Sequence, residues 1–265
     1  MKKAIISILS TLTLSVSGCN YLDINPEMGL DEDQVFTVWD NFKSYYYNIY
    51  TTPTGIHCAY PLYLDMNARR YTWYQFTDLS DADRLLRCQQ IKSGTMGENA
   101  AEFTTSTAGR AISYSMFRII RVCNKCIENI GRVQNVKQEN KDDLLGQAYF
   151  VRAYAHFTLC RIFGGMPYLD KALDENDEWD MARLTAWETY SRCAEDFDRA
   201  YECFVSAGKV RRDAAPGTEG HLTSSDMAYP NGVAAKAMKA RALLYAASKL
   251  NNLHGQSDWE DAAEA

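Results

Sequence analysis

The sequence predicts a mostly all-α chain of stacked helical hairpins that carries a loop-rich aromatic insert. Two patterns predict it: long stretches with apolar residues at steps of three and four, and one stretch, residues 51–100, where Pro, Gly and aromatic residues interrupt that period. At 265 residues there is ample length to bury a core, and the 46% hydrophobic, 23% charged balance is that of a water-soluble globular protein. A mean hydropathy of −0.36 excludes a bundle of membrane spans. A formal charge of −6, with no basic tract of five or more residues, argues against phosphate-driven nucleic-acid binding. The aromatic load, 17 Tyr and 5 Trp, exceeds what a polar helical protein needs. Such rings at a surface offer flat apolar faces with a polar tip.

The first element reads as an export signal. Met1-Lys2-Lys3 precedes an apolar run from Ala4 to Leu14, then Val16-Ser17-Gly18-Cys19. A charged start, a short apolar stretch and small residues before a cut site describe such a signal, and the run is too short for a permanent span. The tetrad at 16–19 resembles the bacterial lipoprotein lipobox, which implies removal of residues 1–18 and acylation of Cys19, palmitate being one such chain. Each buried acyl methylene is worth about 0.8 kcal/mol, so several chains on Cys19 would hold the protein at a membrane without a spanning helix. Loss of Lys2 and Lys3 takes the formal charge from −6 to −8. Residues 19–30, with Pro26 and Gly29, then read as an anchor linker. Of the eight cysteines, seven remain after Cys19, an odd number that cannot all pair within one chain.

Residues 31–265 read as one helical domain. Asp31 or Asp33 is placed to cap a first helix near residues 32–50, because a short carboxylate accepts from unpaired backbone N–H groups. Tyr45-Tyr46-Tyr47 lies within it and is assigned to packing. After the 51–100 insert the helical period returns at Thr105. Cys123 and Cys126 sit in a helical run with no second cysteine pair or paired histidines at zinc-ligand spacing, so they read as small apolar residues on a helix face. Ala148, Val151, Ala155, Leu159 and Ile162 form one stripe that stops at Gly164-Gly165, with Pro167 barring continuation. Trp187, Tyr190, Ala194, Phe197, Ala200 and Phe204 form the next. In the alanine-rich run from Val233 to Leu250, Ala234, Ala237, Arg241, Leu244 and Ala247 are expected on one close-packed side. Trp259 to Ala265 reads as the start of a further helix.

Helix pairs with Trp or Tyr early, Ala at the crossing and Phe a turn later resemble tetratricopeptide repeats, giving a TPR-like stack. Two stretches are more specific. Gln147-Ala148-Tyr149-Phe150-Val151-Arg152-Ala153-Tyr154-Ala155-His156-Phe157, followed by Leu159, Phe163-Gly164 and Pro167, resembles the signature helix of the SusD/RagB family of outer-membrane nutrient-binding lipoproteins. Asn231-Gly232 through Ala240-Arg241-Ala242-Leu243-Leu244-Tyr245-Ala246-Ala247 is similar to that family's second recurrent helix. Asn124 to Ile130 and the lipobox followed by Leu22-Asp23 agree in order and spacing, while Gln147 stands where the family commonly has Glu. The resemblance covers the N-terminal half of the family's usual length, so the chain is expected to be an incomplete, SusD-like helical domain.

The resemblance implies a surface-exposed, lipid-anchored protein of the cell outer membrane that captures glycans, or in some members peptides. Its partner would be a SusC-like TonB-dependent transporter, to which it delivers the ligand for nutrient uptake. Such proteins are binders, not enzymes. The competing expectation is a TPR-like scaffold lipoprotein for envelope assembly, which would bind protein helices and no sugar.

The sharpest candidate for ligand contact is Arg70, Tyr71, Trp73 and Tyr74 with Asp78 close by: aromatic faces for sugar rings and polar groups for hydroxyls. The acidic run Asp174 to Asp180 lacks the internal glycine and spacing of an EF-hand loop and reads as a solvated turn. Arg152 and Arg161 are expected to contact carboxylates or carbonyls. His57, His156, His221 and His254 are scattered, and no metal site, cofactor site or catalytic residue is assigned; no G-x-S-x-G elbow, phosphate loop or dinucleotide fingerprint occurs.

Overall fold

The structure, a computed structural model, describes residues 31–51, 64–66, 69–71, 93–94, 112–211, 218, 222–223 and 228–265. The chain divides into two units, Met1–Val35 and Phe36–Ala265. In the first, Asp31 Oδ1 accepts from the Gln34 N–H at 2.6 Å, and Gln34 Oε1 accepts from the Asp31 N–H at 3.4 Å. This reciprocal cap, expected at Asp31, starts helix α1 (Glu32–Thr37). The single helix expected over 32–50 is in fact two, because it breaks at Val38. Thr37 and Val38 are both β-branched and disfavour a helix, and α2 (Trp39–Thr51) restarts with the Phe42 N–H donating to Val38 O at 2.9 Å.

Within the insert, Leu64–Met66 (β1) and Arg69–Tyr71 (β2) form an antiparallel pair, with Leu64 opposite Tyr71 and Asp65 opposite Arg70. The loop-rich insert thus carries a short antiparallel strand pair. The remaining elements are helices: α3 (Ile112–Asn129), α4 (Gln138–Phe163), α5 (Ala186–Ser206), α6 (Gly232–Ala247) and α7 (Gln256–Glu264). Consecutive helices pack on one another, α2 on α3, α3 on α4, α4 on α5, α5 on α6 and α6 on α7. That is the mostly helical, TPR-like stack the sequence predicts. Among the described residues no helix is long and apolar enough to cross a membrane.

Helix α4 is the centre of this stack. Its expected stripe is buried from Ala148 to Leu159, but so are Phe150, Arg152, Ala153, His156 and Phe157 on the other sides, since α3 and α5 cover it from two directions. Gly146 sets the crossing with α5: a Cβ there would lie 2.9 Å from the Phe204 ring and 3.2 Å from Ala200 O. Helix α5 buries Tyr190, Ala194, Phe197, Ala200 and Phe204, the stripe read from sequence. Thr185 and Glu188 close a capping box at its start.

Helix α6 departs from expectation. Its buried residues are Gly232, Ala235, Ala242, Ala246 and Ala247; of the expected side Ala247 is buried, whereas Ala237, Arg241 and Leu244 face solvent, Leu244 being 51% exposed. Alanine lines nearly every side of this helix, so the pattern could not choose a face, and contact with α5 does.

Between α4 and α5 the backbone at Gly165 packs closely against that of Leu184 and Thr185. Gly164 ends α4 at φ +77, as predicted for a glycine C-terminus, and its N–H donates to Cys160 O at 2.8 Å. At Gly165 a Cβ would fall 2.1 Å from Leu184 O and 2.4 Å from the Thr185 carbonyl carbon. These are backbone atoms and cannot rotate away. Gly165→Ala is therefore expected to destabilise by about 1–3 kcal/mol or more, the range of an overpacked site. Urea unfolding checks this, and an unchanged midpoint would refute the close approach.

A buried polar network fastens the same connection. Arg152 Nε and Nη2 donate to the two Asp196 carboxylate oxygens at 2.7 and 2.8 Å, and Nη1 donates to Asn124 Oδ1 and Asp170 O, each at 2.9 Å. Asn124 Nδ2 donates in turn to Leu169 O (3.0 Å) and Lys171 O (2.8 Å), and the Tyr168 hydroxyl donates to Asp196 Oδ2 at 2.7 Å. Burial works against the Arg152 charge, but the Asp196 contacts outweigh it and raise its pKa. Arg152 thus makes the carboxylate and carbonyl contacts expected of it, while the Arg161 guanidinium lies 6.0 Å over the Phe157 ring.

Candidate functional site

Among the described residues, a concavity with convergent polar groups lies where α2, α4 and the connection from α5 to α6 meet. Phe42, Tyr46 and Ile49 are the buried stripe of α2, so its next positions round, Tyr47 and Tyr50, stand on the flank facing α4. On α4, Asp143 and Gln147 are one turn apart and share a face. The third wall comes from Lys209 and from Tyr229 to Asn231. Gly232 brings these last two segments together: its N–H donates to Lys209 O at 2.8 Å, and a Cβ on it would lie 2.7 Å from Val210 Cγ1. Asn231 caps α6, accepting from the Ala234 N–H at 3.1 Å. The space between these walls is about 160 Å³ and opens to solvent on one side.

Two tyrosine rings, Tyr47 and Tyr229, form the apolar wall, and Tyr50 packs against both. The Tyr47 and Tyr229 centroids are 5.3 Å apart at 47°, and Tyr50 meets Tyr229 edge-on at 5.4 Å. A chain of hydrogen bonds runs behind them, with the Tyr50 hydroxyl donating to Gln147 Oε1 at 3.4 Å and lying 3.2 Å from the Tyr46 hydroxyl. Gln147 is 2% exposed, and its orientation is set by that bond. Burial raises the Tyr47 pKa; a hydrogen bond with Gln147 opposes the rise, and the Asp143 carboxylate adds to it. The phenol therefore stays protonated and able to donate at physiological pH. With a carboxylate, a carboxamide and an ammonium around tyrosine faces, the pocket can hold a small polar ring; it has no arrangement of nucleophile and base.

A family model, SusD-like_3, described as starch-binding associating with outer membrane, matches residues 20–209. The chain belongs to the SusD-like family. Two SusD-like proteins of Formosa agariphila, P2 and P38, are similar to it at 27% and 24% identity over 76% and 75% of this chain. It spans 38% and 37% of their lengths. Among solved structures, a SusD-like protein of Bacteroides fragilis matches 88% of this chain and 38% of its own at 18% identity, with a TM-score of 0.61. A SusD-like carbohydrate binding protein from the same species matches 86% of this chain and 39% of its own at 16% identity and a TM-score of 0.57. At these identities the structures establish the SusD-like fold.

Of the ligand contacts expected from sequence in this SusD-like chain, Arg70 and Tyr71 lie on β2, and Trp73, Tyr74 and Asp78 lie outside the described residues, as does Cys19. The pocket contains none of them. Its own signal was present in Tyr45-Tyr46-Tyr47 and Tyr50, where the helical period buries Tyr46 and turns 47 and 50 toward the next helix. Gln147 is the pocket's deepest polar group. Elsewhere, Cys123, Cys126, Cys160, Cys193 and Cys203 are free thiols, the first four buried, which fits the packing role assigned to the C-x-x-C pair. The 174–180 run is an exposed turn in which Asp174 Oδ1 accepts from the Asn176 N–H at 2.8 Å and Lys171 pairs with Asp177. Among the described residues no group of His, Cys, Asp and Glu is gathered to hold a metal ion.

Proposed function

We propose that this SusD-like chain is a surface glycan-binding lipoprotein that captures oligosaccharides at the outer membrane and delivers them to a SusC-like TonB-dependent transporter. The observation that carries the reading is the match to a family described as starch-binding associating with outer membrane, which begins at residue 20, next to Cys19. Acyl chains on Cys19 would hold the protein in the membrane, and residues 19–30 would let the helical domain stand off it. Arg70, Tyr71, Trp73, Tyr74 and Asp78 are proposed to contact the ligand. Strand pairing with β1 gives Arg70 and Tyr71 a fixed backbone register, and aromatic faces beside a guanidinium and a carboxylate suit an amphipathic sugar ring. The protein acts as a binder without turnover.

A glycan array probed with the full chain tests this, with Trp73→Ala as comparison. Binding to at least one neutral oligosaccharide is expected, weakened about tenfold or more by Trp73→Ala, the loss of about 1.4 kcal/mol. Release of reducing ends from the bound glycan, or an array without hits, would overturn the reading.

A further inference from the structure

We propose that the cavity between Tyr47, Tyr229, Asp143 and Gln147 binds one pyranose unit of a neutral oligosaccharide, as a site additional to the residues of the 70–78 insert. The inference rests on the glycan-capturing reading above and assigns it a second location.

Size is the first argument. The space is about 160 Å³ and opens to solvent on one side, so a ring can seat one face in it and keep its remaining hydroxyls in water. Chemistry is the second. A pyranose has two kinds of surface, C–H faces and a hydroxyl rim, and the cavity presents the matching pair. Tyr47 and Tyr229 supply apolar faces, with Tyr229 41% exposed at the mouth, where a ring can enter. Asp143 and Gln147, one helical turn apart, put a carboxylate and a carboxamide on the same wall, where they can bond different hydroxyls of one ring.

Charge is the third. The lining holds one carboxylate, Asp143, and one ammonium, Lys209, so it has no net charge to reward an ionic ligand. A phosphate or uronate drawn to Lys209 would meet Asp143 within the same small space. Preorganisation is the fourth. The Tyr50 bond fixes the Gln147 carboxamide, the cap on α6 fixes Asn231, and the Gly232 contact fixes Lys209 beside it. Little ordering entropy is then left to lose on binding.

Saturation-transfer NMR on the full chain, with maltotriose, glucuronate and glucose 6-phosphate as probes, reads this directly. Tyr229→Ala removes an exposed side chain and should leave the fold intact. It is expected to weaken maltotriose binding about fivefold to tenfold, as loss of one aromatic face would. Tyr114→Ala, which removes another exposed ring outside the cavity, should leave it unchanged. Asp143→Asn gives a second reading of the same site and should let glucuronate and glucose 6-phosphate bind. Unchanged maltotriose affinity in Tyr229→Ala, with loss in Trp73→Ala, overturns the second site and leaves glycan capture standing. Wild-type binding to glucuronate in preference to maltotriose overturns the neutral-sugar assignment. No binding of any oligosaccharide to the wild type overturns both.

Discussion

Asp196→Ala is expected to destabilise the helical domain by about 3–5 kcal/mol, the cost of leaving a buried charge without its partner. Asp196 is fully buried and accepts from Arg152 twice, from the Tyr168 hydroxyl and from Arg199 Nη1 at 2.8 Å. The alanine variant would strand the Arg152 guanidinium, 2% exposed, in the middle of α4. It would also leave the buried Tyr168 hydroxyl without its acceptor. A loss of this size is a large fraction of the roughly 5–15 kcal/mol available to a folded domain. Urea unfolding of the single variant and of Arg152→Met/Asp196→Leu measures it. The double variant should be the more stable of the two, because it removes both charges together. A single-variant loss below about 1 kcal/mol would show that the pair contributes little.

Acid should weaken the same region through His156. The ring is buried and stacks on Tyr168 with centroids 3.9 Å apart; Nδ1 lies 3.0 Å from Arg152 O, and Nε2 accepts from the Leu169 N–H at 3.0 Å. Only the neutral ring with its proton on Nδ1 satisfies both bonds. Burial lowers its pKa to about 4; the Arg152 carbonyl, Asp196 and Asp170 oppose that shift, and the Arg152 charge assists it. The unfolded chain, with a histidine pKa near 6.5, then binds more protons than the folded one between about pH 6.5 and 4. Stability must therefore fall as pH drops through that window, by about 3 kcal/mol in all, and flatten below it. Unfolding free energies at pH 7, 5.5 and 4.5 for wild type and His156→Gln check the sign. Parallel pH slopes in the two proteins would exclude His156 as the source.

The fold was legible wherever one side of a helix differed chemically from the other. The Tyr190 to Phe204 stripe of α5 names its buried face because Arg192, Glu195 and Arg199 occupy the rest. Helix α6 lacks that contrast. With small apolar residues on all sides, its orientation follows from the shape of α5, which local sequence does not carry. The polar network was half legible. Arg152 could be assigned a structural partner, but Asp196 lies 44 residues away and looks like any helical carboxylate until the helices stack. The Tyr47 pocket was less legible still, since Tyr229 lies 182 residues further along the chain and joins it only once the helices stack. The hairpin at 64–71 escaped because three-residue strands are too short to show a period of two.

The thiols buried along the stack supply something no other feature does, an internal clock for how it comes apart. Cys123 and Cys126 sit on α3, Cys160 on α4 and Cys193 on α5, and burial raises the pKa of each. An alkylating reagent needs the thiolate and a path to it, so it can mark these positions only when neighbouring helices part. Of the five described thiols, Cys203, half-buried near the end of α5, should be marked first. The order in which the remaining four acquire label is then the order in which the layers separate, written into the chain without any added probe.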